Sequence, residues 1–474
     1  MSDPSSAPPT FDRRDPPTSE VLWCAAPQWE DTPVLSLDDL GARWGRIVIA
    51  SAHPDDETLG TGALAAELAD RGLPVTVVVA TAGEKSHDIA DERGRSRLAD
   101  RRRREVVRAV ATLAPQATVV QLTYPDTDLE SSVEAVSADL AAHLDAHTLL
   151  LAPWLRDGHA DHDALGRAAV AAGVRAEVAV AFYPVWLWHW STPAELDWHH
   201  LVAVEPSPVA LRRKRAALEC FSSQTTAWDP DPGRDDPAAV LDVQAMARAR
   251  RPMEALFDPD GVLPRLPASS REHRNRHRAA VFDDMYRVGA DAWATQGSFY
   301  ERRRRDLVMA LLGRPSYPRA LEVGCANGYL TSALCERVGH LSALDVSGTA
   351  VAHARALAPA AHIRVGAAPG DLPRGPFELV VLSEIGYFLT PLEWLVTLQR
   401  ARACLAPEGE LVLCHWQRPT VDIPLDGPLV HEHAHHALGE PDTRYADADL
   451  SIETWTGAPS VAQREGRESS GADA

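Results

Sequence analysis

Two short stretches hold most of the side chains that could do chemistry. In "RIVIASAHPDDETLGTG", residues 46–62, His53 and Asp56 lie three apart with Asp55 between them, and in "APWLRDGHADHDALG" His159 and His162 lie three apart around Asp161. Across a strand-to-helix turn that spacing lets two side chains aim at one point. Two histidines and one carboxylate drawn from such a pair of loops would hold a metal and leave one position open for water, as a catalytic zinc site requires. Taken singly, each residue reads as well as a solvated loop position or, for Asp55 and Asp56, a helix N-cap. A third stretch, "RALEVGCANGYLTSALCERVGHLSALDVSG", offers other chemistry. Gly324 and Gly328 would let the backbone approach a ligand at a helix start, and Asp345 ends the next strand, where a carboxylate can accept both hydroxyls of a ribose. The turn reads E-x-G-x-x-x-G rather than G-x-G-x-x-G, and Glu322 disfavours a pyrophosphate, so an adenosine-type ligand other than a dinucleotide is expected.

These clusters need a scaffold, and the apolar runs before them supply it. "RIVIA", "PVTVVVAT", "ATVVQLTY" and "HTLLLAPW" read as strands, alternating with the helical patterns "ETLGTGALAAELADRG" and "ADRRRREVVRAVATLA". Each polar cluster thus falls at the carboxyl end of a strand, where open α/β sheets bind ligands. Strand–helix alternation recurs over about 46–190 and 318–416, the signature of parallel α/β sheets. The expectation is two Rossmann-like three-layer α/β/α domains, over 20–256 and 279–456. A Pro-, Gly- and charge-rich linker is expected at 257–278, and tails at 1–19 and 457–474, which lack apolar periodicity.

Charge narrows the function. Asp and Glu outnumber Lys and Arg 67 to 47, a net charge of −20 that opposes docking on phosphate backbones or anionic lipid. No nucleic acid partner is expected, and no apolar run is long enough for a membrane span. The six cysteines never form C-x-x-C, which fits a reduced, cytoplasmic setting.

Taken together and in order, "AHPDDE", "TAGEKSH", "PDTDL", "PWLRDGHADH" and "LECFSSQ" resemble the PIG-L/LmbE family of zinc-dependent N-deacetylases over about 46–225. The resemblance implies Zn2+ held by His53, Asp56 and His162, with Asp55 as the general base toward water. It also implies His159 as the group that steadies the oxyanion or protonates the leaving amine, oriented by Asp161. The substrate it implies is a small N-acetylated amino sugar or glycoconjugate. "HADH" stands where the family commonly has "HPDH", which removes no ligand. Arg93 and Arg97 could grip a sugar or phosphate or belong to a solvated face, and "VWLWHWSTP" could form a sugar-stacking wall or equally be core.

The third stretch resembles motif I of class I S-adenosylmethionine methyltransferases, whose cofactor carries an ammonium and a sulfonium. Glu322, Gly324, Gly328 and Asp345 would be its binding residues. "DAWATQGSFYERRR", "SEIGYFL" and "HWQRPTVDIPLDGPLVH" are similar to the nodulation-type (NodS-like) N-methyltransferases, which methylate the amine of a deacetylated glucosaminyl unit. Glu384, Tyr387 and His415 are the candidates to receive the amine's proton, with loop packing the alternative role for each. The two resemblances together imply a bifunctional enzyme, deacetylating and then N-methylating. The alternatives are methyl transfer to oxygen or to a different molecule, or one half a degenerate binding module.

Overall fold

Apolar runs in this chain become parallel strands, buried on both faces at the centre of the sheet and partly exposed at its edge. In the computed structural model, which describes residues 15–89, 91–226, 239–289, 291–418 and 423–467, the chain divides into two compact units, Met1–Leu266 and Pro267–Ala474.

The first unit is built on β1 (Arg46–Ser51), β2 (Val75–Thr81), β3 (Thr118–Tyr124), β4 (Thr148–Pro153), β5 (Ala179–Tyr183), β6 (Leu201–Val204) and β7 (Glu254–Phe257). They form one sheet in the order β3-β2-β1-β4-β5-β7-β6. The first five strands are parallel, and β7 runs antiparallel to β5 and β6. Ile47, Val48, Ile49, Leu149, Leu150 and Leu151 are fully buried in the two central strands. At about 1.5–3 kcal/mol each, their burial fixes the register and leaves polar residues only the strand ends.

β1 leads through the turn 52–55 into the helix Asp56–Asp70, and β4 leads through a short loop into the helix Ala160–Ala176. The first helix breaks at Thr61 (φ −138°, ψ 16°). A buried ion pair fills the break: Glu254 accepts the Ala63 and Leu64 N–H groups at 2.8 Å each, while Lys214 donates to Glu254 at 2.6 Å and to the Leu59 carbonyl at 2.9 Å. Backbone donors left over at the break are thereby satisfied.

The second unit carries β8 (Tyr317–Val323), β9 (Val338–Asp345), β10 (His362–Val365), β11 (Phe377–Ser383), β12 (Leu405–Trp416), β13 (Thr443–Ala446) and β14 (Leu450–Thr456). Their order is β10-β9-β8-β11-β12-β14-β13, with β14 antiparallel to β12 and β13 and the rest parallel. Both units are therefore three-layer α/β folds.

The stretch expected as a linker is structured at both ends. Asp258 accepts the Val262 and Leu263 N–H groups at 2.7 and 3.1 Å, holding that loop on the first unit. From Ser270 a helix runs to Val288, and Arg274 and Arg278 pair with the buried Glu393 of the second unit. A domain start at 279 would cut that helix in two; the charges that read as linker are its ion-pairing face. Of the expected tails, Thr18 donates to the carbonyls of His189 and Ser191 at 2.8 and 2.7 Å, and a short helix Val461–Arg464 hydrogen-bonds through Arg464 to Gly313. Residues 1–14 and 468–474 lie outside the described residues. Among the described residues no helix is long and apolar enough to cross a membrane.

Candidate functional site

The strand order of the first sheet reverses between β1 and β4, and both polar loops leave the carboxyl ends of these two strands. The structure brings His53, Asp56 and His162 together. His53 Nδ1 lies 3.4 Å from an Asp56 carboxylate oxygen, His162 Nε2 lies 3.3 Å from the other, and the two ring nitrogens are 3.3 Å apart. Ligands about 2.0–2.1 Å from a tetrahedral zinc would stand roughly 3.3 Å from one another, so this triangle fits the ion.

The far side of each ring is held as well. Asp157 accepts the Nδ1–H of His162 at 2.7 Å, and Asp161 and Asp126 face His53 Nε2 at 3.2 and 3.3 Å. Against burial, the surrounding carboxylates raise both imidazoles, His162 to about 10; a metal that displaced their protons would meet His53 Nδ1 and His162 Nε2, the nitrogens these bonds leave facing the shared centre. Asp157 is fixed by the Val185, Trp186 and Leu187 N–H groups at 2.8–3.0 Å, and Asp161 by those of Thr127 and Leu129 at 2.7 and 3.1 Å. Asp161 thus orients His53, not His159 as expected. Its place one residue before His162, on the first turn of the helix, points it back across the site.

Asp55 stands at φ 141°, a region that costs a non-glycine residue strain. Arg102 holds it there, donating to its carboxylate at 3.2 Å and to the Pro54 carbonyl at 2.9 Å. Burial raises Asp55 to about 7 against the pull of Arg102. His159 lines the same cavity, with Nδ1 buried and partnerless; burial, with His162 and His53 nearby, pushes it down to about 3. Asp126, Asp157 and Arg102 were not singled out from sequence. The first two sit inside "PDTDL" and "LRDGHADH", and their spacing to the histidines was the available signal; Arg102 is hidden in a run of four arginines. Arg93 and Arg97 are exposed, and Arg95 lines the cavity in their place. Of the tryptophans, Trp186 borders the cavity, while Trp188 packs edge-on against Trp23 at 4.8 Å in the core.

In the second unit a cavity opens at the equivalent place, the carboxyl ends of β8 and β11, lined by Glu322, Gly324, Asp345, Glu384 and Tyr387 among others. Gly324 (φ +79°) and Gly328 (φ +91°) are both required. A Cβ at Gly324 would meet Ile385 at 2.0 Å, and one at Gly328 would meet the Ala354 backbone at 2.7 Å. Asp345 accepts the Ala326 and Ser347 N–H groups at 2.9 Å each, fixing its carboxylate at the strand end. Glu322 is fully buried with Oε2 partnerless, and burial raises it to about 7 against Thr331 and Arg304. These residues form a cradle suited to an adenosine-type ligand with cationic groups. Thr295 and Trp293, from "DAWATQGSFYERRR", also line the cavity, and Asn327 donates to Thr295 at 2.7 Å.

Glu384 (φ 61°) accepts the Tyr387 hydroxyl, and its Oε1 is buried without a partner. Burial raises its pKa, opposed by Arg304 and Tyr387. His415 does not face the cavity. Its Nε2 accepts the Gly386 N–H at 3.1 Å and its Nδ1 faces His431 Nε2 at 3.3 Å, so it supports the loop that carries Tyr387.

The family model described as GlcNAc-PI de-N-acetylase (PIG-L) matches residues 48–173, and a methyltransferase-domain model matches residues 320–409. A 1D-myo-inositol 2-acetamido-2-deoxy-alpha-D-glucopyranoside deacetylase from Rhodococcus erythropolis is 28% identical over 243 residues, covering 43% of this chain and 77% of the relative. Nodulation protein S from Sinorhizobium fredii is 29% identical over 140 residues, covering 29% of this chain. The match spans 62% of that relative's own length. The crystal structure of N-methyltransferase NodS from Bradyrhizobium japonicum WM9 with S-adenosyl-L-homocysteine is similar at 21% identity and a TM-score of 0.35, over 38% of this chain and 98% of that one.

Proposed function

We propose that this chain, in which a PIG-L deacetylase domain is followed by a class I methyltransferase domain, removes acetyl from the nitrogen of an N-acetylglucosaminyl-type sugar and then methylates the freed amine. The observation that carries the hydrolytic step is the triangle of His53, Asp56 and His162 with its donor atoms converging. Zn2+ held by these three residues would supply a Lewis acid for the amide carbonyl and lower the pKa of water.

The chain's own residues do the rest. Asp55, raised by burial toward neutrality, accepts a proton from the attacking water, and Arg102 keeps its carboxylate aimed. Neutral His159 donates its N–H to the developing oxyanion. The proton taken by Asp55 is then available for the departing amine, so amide and water yield acetate and amine.

In the second unit S-adenosylmethionine would supply an electrophilic methyl on a sulfonium. Glu322, Gly324, Gly328 and Asp345 would hold it, and the free Oε1 of Glu384 beside Tyr387 would take the proton of the acceptor ammonium. An acetamide nitrogen cannot be the acceptor, because its lone pair is delocalised into the carbonyl. Deacetylation must come first.

Mass spectrometry of N-acetylglucosaminides incubated with the full chain tests the reading. Loss of acetyl alone is expected without S-adenosylmethionine, and loss of acetyl with gain of methyl in its presence. Equal methyl incorporation into acetylated and free sugars would overturn the order.

A further inference from the structure

Beside the hydrolytic cavity of the first unit lies a second, smaller one that the proposed chemistry leaves unused. It is walled by Trp29, Trp186 and Trp188 and contains the cationic side chains Lys214, Arg248 and Arg251. Two of the three have carboxylate partners. Lys214 pairs with Glu254 at 2.6 Å, and Arg251 makes a two-pronged contact with Glu20 at 2.5 and 2.7 Å while lying 4.4 Å over the Trp188 ring. Arg248 has none among the described residues. It is 8% exposed, and its Nη1 is buried with no hydrogen-bond partner. Its Nη2 lies 3.4 Å from His189 Nδ1, and an imidazole brings no negative charge to offset the guanidinium.

A buried guanidinium without a counter-charge is strongly unfavourable unless something else supplies one. Burial and Arg251 hold Arg248 down to about 10, opposed without direct contact by Glu20 and Asp242. The cavity therefore has the makings of an anion site: one buried cation with no carboxylate in contact and an Nη1 without a hydrogen-bond partner, in an aromatic wall.

We propose that it is a subsite for a carboxylate monoanion seated on Arg248. A monoanion matches the single unpaired charge, whereas a phosphate dianion would leave one negative charge buried. The planar guanidinium also suits a carboxylate. Leu59, Trp186 and Leu241 line both this cavity and the one holding His53 and Asp56. Two sources of carboxylate are then within reach: a carboxylate substituent on the sugar substrate, or the acetate that amide hydrolysis releases. The second source rests on the deacetylase reading above.

The test uses the full-length, metal-free protein, so that the readout reports neither the His53 centre nor activity. Sodium acetate is titrated against sodium chloride at equal ionic strength, following melting temperature and tryptophan emission. A saturable acetate response is expected in the wild type, absent in Arg248→Met and weakened in Arg248→Lys. Arg248→Met, relieved of an unpaired charge, should melt no lower than the wild type in acetate-free buffer. No saturable response in the wild type, or an equal one in Arg248→Met, overturns the proposal, and either can occur whether or not the chain is a deacetylase. Kinetics on N-acetylglucosaminides with and without an aglycone carboxylate then locate the source. A roughly tenfold lower KM for the carboxylated sugar, lost in Arg248→Met, supports the substrate group. Unchanged KM values alongside acetate binding support released acetate.

Discussion

Counted within each unit, both sheets run 3-2-1-4-5-7-6 with the seventh strand antiparallel, and both reverse direction at the same place, between β1 and β4 in the first and β8 and β11 in the second. What is built there differs. The first unit gathers Asp55, Asp56, Asp126, Asp157 and Asp161 around His53 and His162, a donor set crowded with negative charge that calls for a cation. The second sets positive-φ glycines and a single carboxylate on each of three strand ends around an open cavity. In each case one acidic residue in a strained positive-φ backbone faces the cavity, Asp55 after β1 and Glu384 after β11. The scaffold fixes where chemistry happens, and the loop residues decide which chemistry it is.

That contrast is broken most sharply by neutralising the strained acid in each unit. Asp55→Asn keeps the shape but cannot accept a proton from water, and it should lower deacetylation by about 10²–10⁴ while metal analysis shows zinc retained. Glu384→Gln should lower methyl transfer to a free amino sugar over the same range, about 10²–10⁴, without changing S-adenosylmethionine affinity measured calorimetrically. Each variant should spare the other activity. Zinc lost from Asp55→Asn, or full methyl transfer by Glu384→Gln, would undo the assignment of bases.

A smaller effect probes the support behind the metal triangle. Asp157 accepts from His162 Nδ1 and is itself held by three backbone N–H groups. Asp157→Asn should weaken zinc binding by about 10–100-fold, read by competition with a chelating dye. The same change at Asp161 should act through His53. An effect on His159 alone, with zinc affinity intact, would restore the role that the family resemblance implied for Asp161.

The sites were legible because their residues are close in sequence and follow long, strongly apolar strands. His53 with Asp56, His159 with His162, and Glu322 with Gly324 each share one turn. What could not be read depended on contacts between distant segments. Arg102 reaches Asp55 from a helix nearly fifty residues on, and Glu254 caps the broken helix at Ala63 from β7. β6 and β7 are four residues each, too short for a period to show. His415 was misplaced for another reason. A strand end fixes position but not facing, and only the Gly386 contact shows that the ring points away from the cavity.

The smallest predicted effect is a pH dependence confined to the second unit. Burial raises Glu322 to about 7, so it is neutral below that pH and anionic above it. For the folded chain alone, a raised carboxyl contributes stability that is present below the unfolded value near 4.5 and lost as pH rises through about 7. A cationic cofactor reverses the preference, because its ammonium and sulfonium favour the anionic form. The ionised fraction of a group with pKa near 7 climbs from about a tenth at pH 6 to about nine tenths at pH 8, so S-adenosylmethionine should bind up to about tenfold more tightly at pH 8. Calorimetry in two buffers of different ionisation enthalpy should also register proton release on binding near pH 6.5. Glu322→Gln should flatten both signals. A pH-independent affinity in the wild type, or a slope unchanged in Glu322→Gln, would mean that the cofactor's charge is met elsewhere in the cavity, with Asp345 the next carboxylate to test.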